Sequence, residues 1–320
     1  MDAKPKITDD KQLTYAVGRY RQQLCRESGD LDARLGRGLM ERVLFAELIE
    51  KFDLILFDAY GVLNRGSAPI AGAVQAIDGC RQLKTDFLLV SNNASERPQG
   101  VLQKLQKMGF SINIDQVITS GMAVETFINS SPYRNQPYLL IGTNDSANDY
   151  APDPKRLLLN PPGGPIQTAI KPAYVLICSN RDYYGKIQQE VVEGWLAKEP
   201  LPLLVANPDM VVQDDQREPV VVAGFTAHEL SERFGGEILG IGKPFPPVYR
   251  LALEGFPGLA PEKILMVGDS LTTDILGGSA MGFSTCLTLS GLHGKQEHCI
   301  EDFCQEWAIK PDYIVKSIGR

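Results

Sequence analysis

Short apolar runs closed by turn or polar residues recur along this chain and alternate with longer stretches of helical period. The first, Leu54-Ile55-Leu56-Phe57, carries no polar interruption. Such a run predicts a strand covered on both faces, as in a parallel sheet. Comparable runs lie at 86–90, 116–119, 138–141, 173–178, 203–206, 263–267, 284–289 and 312–315. Between them the spacing predicts helices over 71–84, 99–108, 121–129, 186–196, 246–254 and 274–281, with Gly109 and Gly282 placed to end two of them. Strand alternating with helix implies right-handed parallel crossovers and a doubly wound α/β sheet.

Two stretches break the rhythm. Residues 1–50 are charged, with Leu13, Val17, Tyr20 and Leu24, then Leu39, Val43, Leu44 and Leu48, at helical spacing. They predict a helical extension that packs on the core or on a second subunit, so a homodimer is one expectation. Residues 132–164 are rich in Pro, Asn and Asp around one strand. We therefore expect an inserted α/β domain over 132–237, with the core domain split into 51–131 and 238–320.

Composition narrows the function. At 320 residues the chain can hold two domains, and 43% hydrophobic with 22% charged residues is ordinary for a globular protein. A net charge of −7 without a long basic run argues against a nucleic-acid partner. No apolar run approaches a membrane span, and residues 1–10 show no apolar signal region, so a cytoplasmic protein with reduced cysteines and no membrane partner is expected. Cys178 and Cys286 sit inside apolar runs and read as core residues. The spacing of His293, His298, Cys299 and Cys304 fits no common zinc module.

Candidate chemistry gathers at strand ends. Asp58 follows the first core strand, where a parallel sheet presents its carboxyl edge to ligands, and Gly61 lets the chain turn away. Ser91-Asn92-Asn93 closes the next strand, Gly268-Asp269-Ser270 through Asp274 follows the strand at 263–267, and Lys243 stands in Gly242-Lys243-Pro244 ahead of a helix. Each has an ordinary explanation as a cap or surface charge. Together, at one edge of one sheet, they predict a single site. A Ser-His-Asp hydrolase is disfavoured, because no Gly-x-Ser-x-Gly occurs and His228, His293 and His298 lie in polar contexts. A dinucleotide site lacks its Gly-x-Gly-x-x-Gly after the first strand.

In these motifs, with Asn207-Pro208-Asp209 and the terminal Pro311-Asp312-Tyr313, the chain resembles the haloacid dehalogenase-like (HAD) hydrolase superfamily over residues 51–320. Within it, the resemblance is to the NagD-like phosphatases with an α/β cap. It implies a HAD-type Rossmannoid core and a magnesium-dependent phosphomonoester hydrolase acting on a small phosphorylated metabolite. Asp58 would attack phosphorus and form an aspartyl phosphate. Asp58, the carbonyl of Tyr60, Asp269 and Asp274 would hold Mg2+ through hard oxygens, Asp274 by orienting a bound water or holding Lys243. Ser91, Asn92 and Lys243 would bind the phosphoryl group. Asn207 and Asp209 would meet the substrate from the cap, with Arg97 a further candidate near Asn92.

One position departs from the pattern. Most phosphatases of the superfamily carry a second aspartate two residues after the nucleophile, which protonates the leaving group. Here Tyr60 occupies it. A phenol of pKa about 10 is a poor base at neutral pH, and losing a positioned acid/base removes about 10²–10⁴ in rate. Slow phosphatase turnover is one expectation, and a weakly active or inactive phosphometabolite-binding protein is another. The third is 2-haloacid dehalogenation, because Asp58-Ala59-Tyr60-Gly61 resembles that segment of the dehalogenases.

Overall fold

The computed structural model describes residues 10–27, 31–143, 170–185, 187–213 and 218–319. The expected helix start at Lys186 and the stretch 144–164 of the Pro- and Asn-rich segment lie outside the described residues, as do residues 1–9 and the side chain of Leu13. Numbered along the chain, the first strands are β1 (Glu41–Arg42), β2 (Leu54–Phe57), β3 (Asn64–Arg65), β4 (Ala68–Pro69), β5 (Asp86–Ser91) and β6 (Val117–Thr119). Then come β7 (Tyr138–Ile141), β8 (Tyr174–Ile177), β9 (Leu203–Val205), β10 (Val211–Gln213), β11 (Pro219–Val221) and β12 (Ile238–Gly240). The last are β13 (Ile264–Gly268), β14 (Ser284–Thr288) and β15 (Tyr313–Val315).

Every residue of β2 is buried, and alternate residues serve opposite faces. Ile55 and Phe57 pack with Phe87, Leu89, Leu265 and Val267. Leu54 and Leu56 pack with Leu88, Val90, Ile264 and Met266 on the other face. These strands belong to a seven-stranded sheet of order β1-β15-β14-β13-β2-β5-β6, whose pairings are all parallel. From β2 the chain winds outward through β5 to β6. It returns to β13 on the other side of β2 and winds away through β14 and β15. The adjacent strands β2 and β13 therefore flank the switch point, where such sheets open a crevice at their carboxyl ends.

Between these halves lies a second sheet, parallel and four-stranded, of order β12-β9-β8-β7. Leu139, Ile141, Val175, Ile177, Leu203 and Val205 share a cluster with residues of the helices Ile187–Leu196 and Ala223–Phe234. Their alternates Tyr138, Leu140, Tyr174, Leu176 and Leu204 join the core cluster beside Val248 and Tyr249. The fold is thus a doubly wound α/β core with an inserted α/β cap. Because β12 pairs with β9, the second sheet runs to Gly240, three residues past 237.

Periodicity misled at the end of the N-terminal extension. The helices Asp10–Glu27 and Leu31–Leu35 are present, but residues 39–48 form no α-helix. Glu41 and Arg42 pair with Tyr313 and Ile314 as an edge strand, and Leu39 is 83% exposed. Main-chain pairing decides that segment, and side-chain spacing does not report it. The hairpin β10–β11 and the helices Ala223–Phe234 and Ile300–Trp307 also go beyond what the pattern of apolar runs predicts. Two histidines expected in polar contexts, His228 and His293, are buried.

Candidate active site

Asp58 is the first residue beyond β2, and its amide donates to the carbonyl of Val267 on β13 at 2.9 Å. That bond carries the strand pairing one step further and brings Asp58 level with the start of the Gly268-Asp269-Ser270 loop. Gly61 then turns the chain at φ +84. A Cβ there would lie 2.0 Å from Asp269 Oδ2, so the glycine both permits the turn and leaves room for the carboxylate. Gly61→Ala is expected to destabilise the fold by about 1–3 kcal/mol, read as a lower melting temperature. Unchanged melting curves would mean that the loop relaxes freely.

Asp274 lies in a π-helical turn, Leu271–Ile275, that leads into the helix Leu276–Met281, whereas the sequence pattern predicts a regular helix from residue 274. The wider turn lets its carboxylate fold back over the loop. Oδ2 accepts from the amides of Asp269 and Ser270, both at 3.1 Å, and Oδ1 lies 2.8 Å from Lys243 Nζ. A Cβ at residue 268 would come within 2.1 Å of Asp274 Cβ, hence the glycine. The other partner of Lys243 Nζ is Asp58 Oδ1 at 2.6 Å.

The lysine is only 1% exposed. Burial acts to lower its pKa, but Asp274 and Asp58 outweigh burial and hold it above the usual lysine range. Burial also pushes up the Asp58 carboxyl, with Lys243 opposing and Asp274 reinforcing the shift. Asp269, whose Oδ2 accepts from Leu292 N at 2.7 Å, is raised by burial and then by its neighbours Asp58 and Asp274. Carboxylate oxygens of Asp58, Asp269 and Asp274 lie within 4.8 Å of one another, the only such group of potential metal ligands among the described residues.

Asn92 does a job that its sequence position did not reveal. Its Oδ1 accepts from Lys243 N at 2.7 Å, and its Nδ2 donates to Lys243 O at 3.0 Å and to Asp209 Oδ1 at 2.9 Å. The amide thus clasps the main chain of the lysine and ties it to the cap. Asp209 is raised to about 6 by burial, against the pull of Lys243 and Asn92. Tyr60 reaches across as well, its hydroxyl donating to the carbonyl of Gln213 on β10 at 2.8 Å. Gln213 Nε2 in turn donates to Leu292 O at 3.0 Å.

These side chains line one cleft of about 330 Å³ between the two sheets. Asp58, Tyr60, Ser91, Asn92, Asn207, Asp209, Lys243, Asp269 and Asp274 all contribute to its wall, whereas Arg97 does not. Arg181, Lys104 and Gln213 also line it and carried no signal in the sequence beyond being polar. The arrangement is a buried lysine between two carboxylates with a third beside them, at the carboxyl edge of a parallel sheet.

A haloacid dehalogenase-like hydrolase model matches residues 55–151, and a HAD-hydrolase-like model matches residues 240–320. The chain belongs to the haloacid dehalogenase-like hydrolases. The two matched segments of this HAD chain carry Asp58 and Ser91, and Lys243, Asp269 and Asp274, respectively. Among curated proteins it is similar to the glycerol-3-phosphate phosphatase of Gallus gallus, 29% identical over 288 residues that cover 85% of this chain and 91% of that protein. Among solved structures it is similar to a possible sugar phosphatase of the HAD superfamily from Cytophaga hutchinsonii. That match has a TM-score of 0.77 and 26% identity, covering 88% of this chain and 99% of the other. NagD from Escherichia coli K-12 shares the fold at a TM-score of 0.64 and 22% identity, with 84% and 98% covered.

Proposed function

We propose that this HAD hydrolase cleaves small phosphomonoesters through an aspartyl-phosphate intermediate, and that Tyr60 makes the reaction slow for substrates with poor leaving groups. The observation that carries the reading is the Asp58–Lys243–Asp274 pairing with Asp269 alongside, at the switch point of the sheet. The buried Asp269 and Asp274 and the partly buried Asp58 face one ammonium, which leaves a deficit of two positive charges. A divalent cation would balance it, and an all-oxygen donor set suits Mg2+. Asp58, Asp269, the carbonyl of Tyr60 and Asp274 would hold that ion, Asp274 mainly through its grip on Lys243. Bound there, Mg2+ would neutralise the phosphate dianion enough for a carboxylate to approach it.

The protein groups then divide the work. One Asp58 oxygen forms the bond to phosphorus as the bond to the leaving-group oxygen breaks, and water later cleaves the aspartyl phosphate. Lys243 offsets charge on the phosphoryl oxygens and Ser91 donates a hydrogen bond to them. Asn92 fixes Lys243 rather than spending its amide on the substrate. Asn207 and Asp209 from the cap meet the organic part. We take the cap as the inserted segment between the two halves of the core, with 132–237 extended to Gly240. Tyr60 spends its hydroxyl on Gln213 and cannot hand a proton to the departing alkoxide.

Glycerol-3-phosphate phosphatase among the relatives makes a small alkyl phosphate a reasonable substrate class. Dehalogenation, which needs no metal, gives no reason to crowd the Asp269 carboxylate against those of Asp58 and Asp274. A screen of phosphorylated metabolites and p-nitrophenyl phosphate, with Mg2+ and with EDTA, tests the reading. We expect Mg2+-dependent release of phosphate that EDTA suppresses by at least about 10²-fold, the scale of several kcal/mol of charge stabilisation. Halide release from a 2-haloacid in EDTA, without phosphatase activity, would refute it.

A further inference from the structure

We propose that Tyr20 is a positioning residue for this site, delivered by the N-terminal helix Asp10–Glu27, so that the extension outside both family-matched segments completes the cleft. The proposal rests on the phosphatase reading for its kinetic consequences and on geometry alone for its structural ones.

Tyr20 is 1% exposed, and its hydroxyl donates to the carbonyl of Pro208 at 2.6 Å. Pro208 sits between Asn207 and Asp209, two residues of the cleft wall. The Tyr20 ring packs edge-on against Phe245, two residues past Lys243, at a centroid distance of 5.1 Å, and against His228 of the cap at 4.9 Å. One side chain thus touches the cap turn that faces the substrate and the segment that carries the lysine.

The turn it holds is connected to the chemistry. Asp209 N donates to Asn207 Oδ1 at 3.0 Å, and Gly224 N donates to Asp209 O at 2.9 Å. Asn92 bridges the Asp209 carboxylate and the Lys243 main chain. A shift at Pro208 therefore moves Asp209, and through Asn92 it moves Lys243.

Tyr20 is itself referenced to the core. Arg21 Nη1 donates to Trp307 O at 2.7 Å and Trp307 Nε1 to Thr14 Oγ1 at 3.2 Å, while Val17, Tyr20 and Leu24 share a buried cluster with Leu276 and Trp307. The helix therefore transmits the position of the core to the cap turn. A tyrosine that merely filled space would also be buried, and its hydroxyl would also find some acceptor. What distinguishes this one is that its acceptor lies in the cleft wall and its ring braces the lysine segment.

The test uses Tyr20→Phe in the full chain, which keeps the ring and removes the hydrogen bond. With p-nitrophenyl phosphate and Mg2+, well below the melting temperature, kcat/KM should fall about fivefold to tenfold, the restraint one hydrogen bond supplies. In an Asp209→Ala background, which removes the acceptor of the Asn92 bond, the same change should cost less than about twofold, because the path through the turn is already cut. Hydrogen exchange should quicken at the amides of Val222 and Gly224, which bond the turn segment, and stay unchanged in β2 and β13. Wild-type kinetics with unchanged exchange, or a full loss repeated in the Asp209→Ala background, would overturn the proposal. A wild-type protein without phosphatase activity would count against the proposed function alone, since the exchange measurement still decides whether Tyr20 holds the turn.

Discussion

Asp58→Asn is expected to lose phosphatase turnover on the order of 10⁴–10⁶-fold, the scale seen when a covalent nucleophile is removed. The substitution is nearly isosteric. Lys243 keeps Asp274 as a partner at 2.8 Å, so the cleft need not rearrange. What disappears is the oxygen nucleophile and one negative charge. Stability supplies the control. Burial raises the Asp58 carboxyl above its ordinary pKa, so the folded state binds more protons than the unfolded state as pH rises past the ordinary carboxylate range. In the metal-free protein the ionised Asp58 therefore lowers stability across that window, and the cost persists above it. Asp58→Asn should melt no lower than the wild type in EDTA at neutral pH. Stopped turnover with an undiminished melting temperature separates a lost nucleophile from a lost fold. A variant that keeps more than about one-hundredth of the wild-type rate would show that Asp58 is not the nucleophile. If phosphorylated metabolites still stabilise Asp58→Asn thermally, binding and chemistry are separable in this cleft.

The residues that assemble the site were legible because a parallel sheet collects whatever follows its strands at one edge. Asp58, Ser91 and Asp269 needed only the apolar runs before them to be placed side by side. Lys243 and Asp274 needed the motif spacing as well. The function of Asn92 was not legible, because its partners Lys243 and Asp209 lie 151 and 117 residues away. The same holds for Tyr20, which lies 188 residues from Pro208 and reads in the sequence as one apolar position of an amphipathic helix. The edge strand Glu41–Arg42 hid for a different reason: its pairing with β15 uses main-chain groups, while the flanking Leu39, Val43, Leu44 and Leu48 mimic a helix. The short strands β10, β11 and β12, each of three residues, carry too few side chains to show a period.

Tyr60→Asp should raise turnover on an alkyl phosphate by about 10²-fold or more, the effect of restoring a positioned acid/base. On p-nitrophenyl phosphate, whose leaving group departs without a proton, the gain should be much smaller. The ratio of the two rates is thus the decisive quantity, because a general improvement in folding or metal binding would raise both alike. The side chain at residue 60 also has a structural duty, since the phenol bonds Gln213 O on the cap hairpin at 2.8 Å. An aspartate is too short to replace that contact, so KM should rise while kcat rises. Gln213 keeps its own bond to Leu292 O at 3.0 Å, which limits how far the hairpin can swing. Tyr60→Phe isolates the second effect, because it removes the hydroxyl and adds no acid; it should raise KM without changing the ratio of alkyl to aryl rates. Should Tyr60→Asp leave that ratio unchanged, the proton already has another source. Asp209 would be the group to test next, since it lines the same cleft and burial holds it at about 6. In that case the slow-turnover reading of Tyr60 would fall, and Tyr60 would be a cap latch in a competent phosphatase.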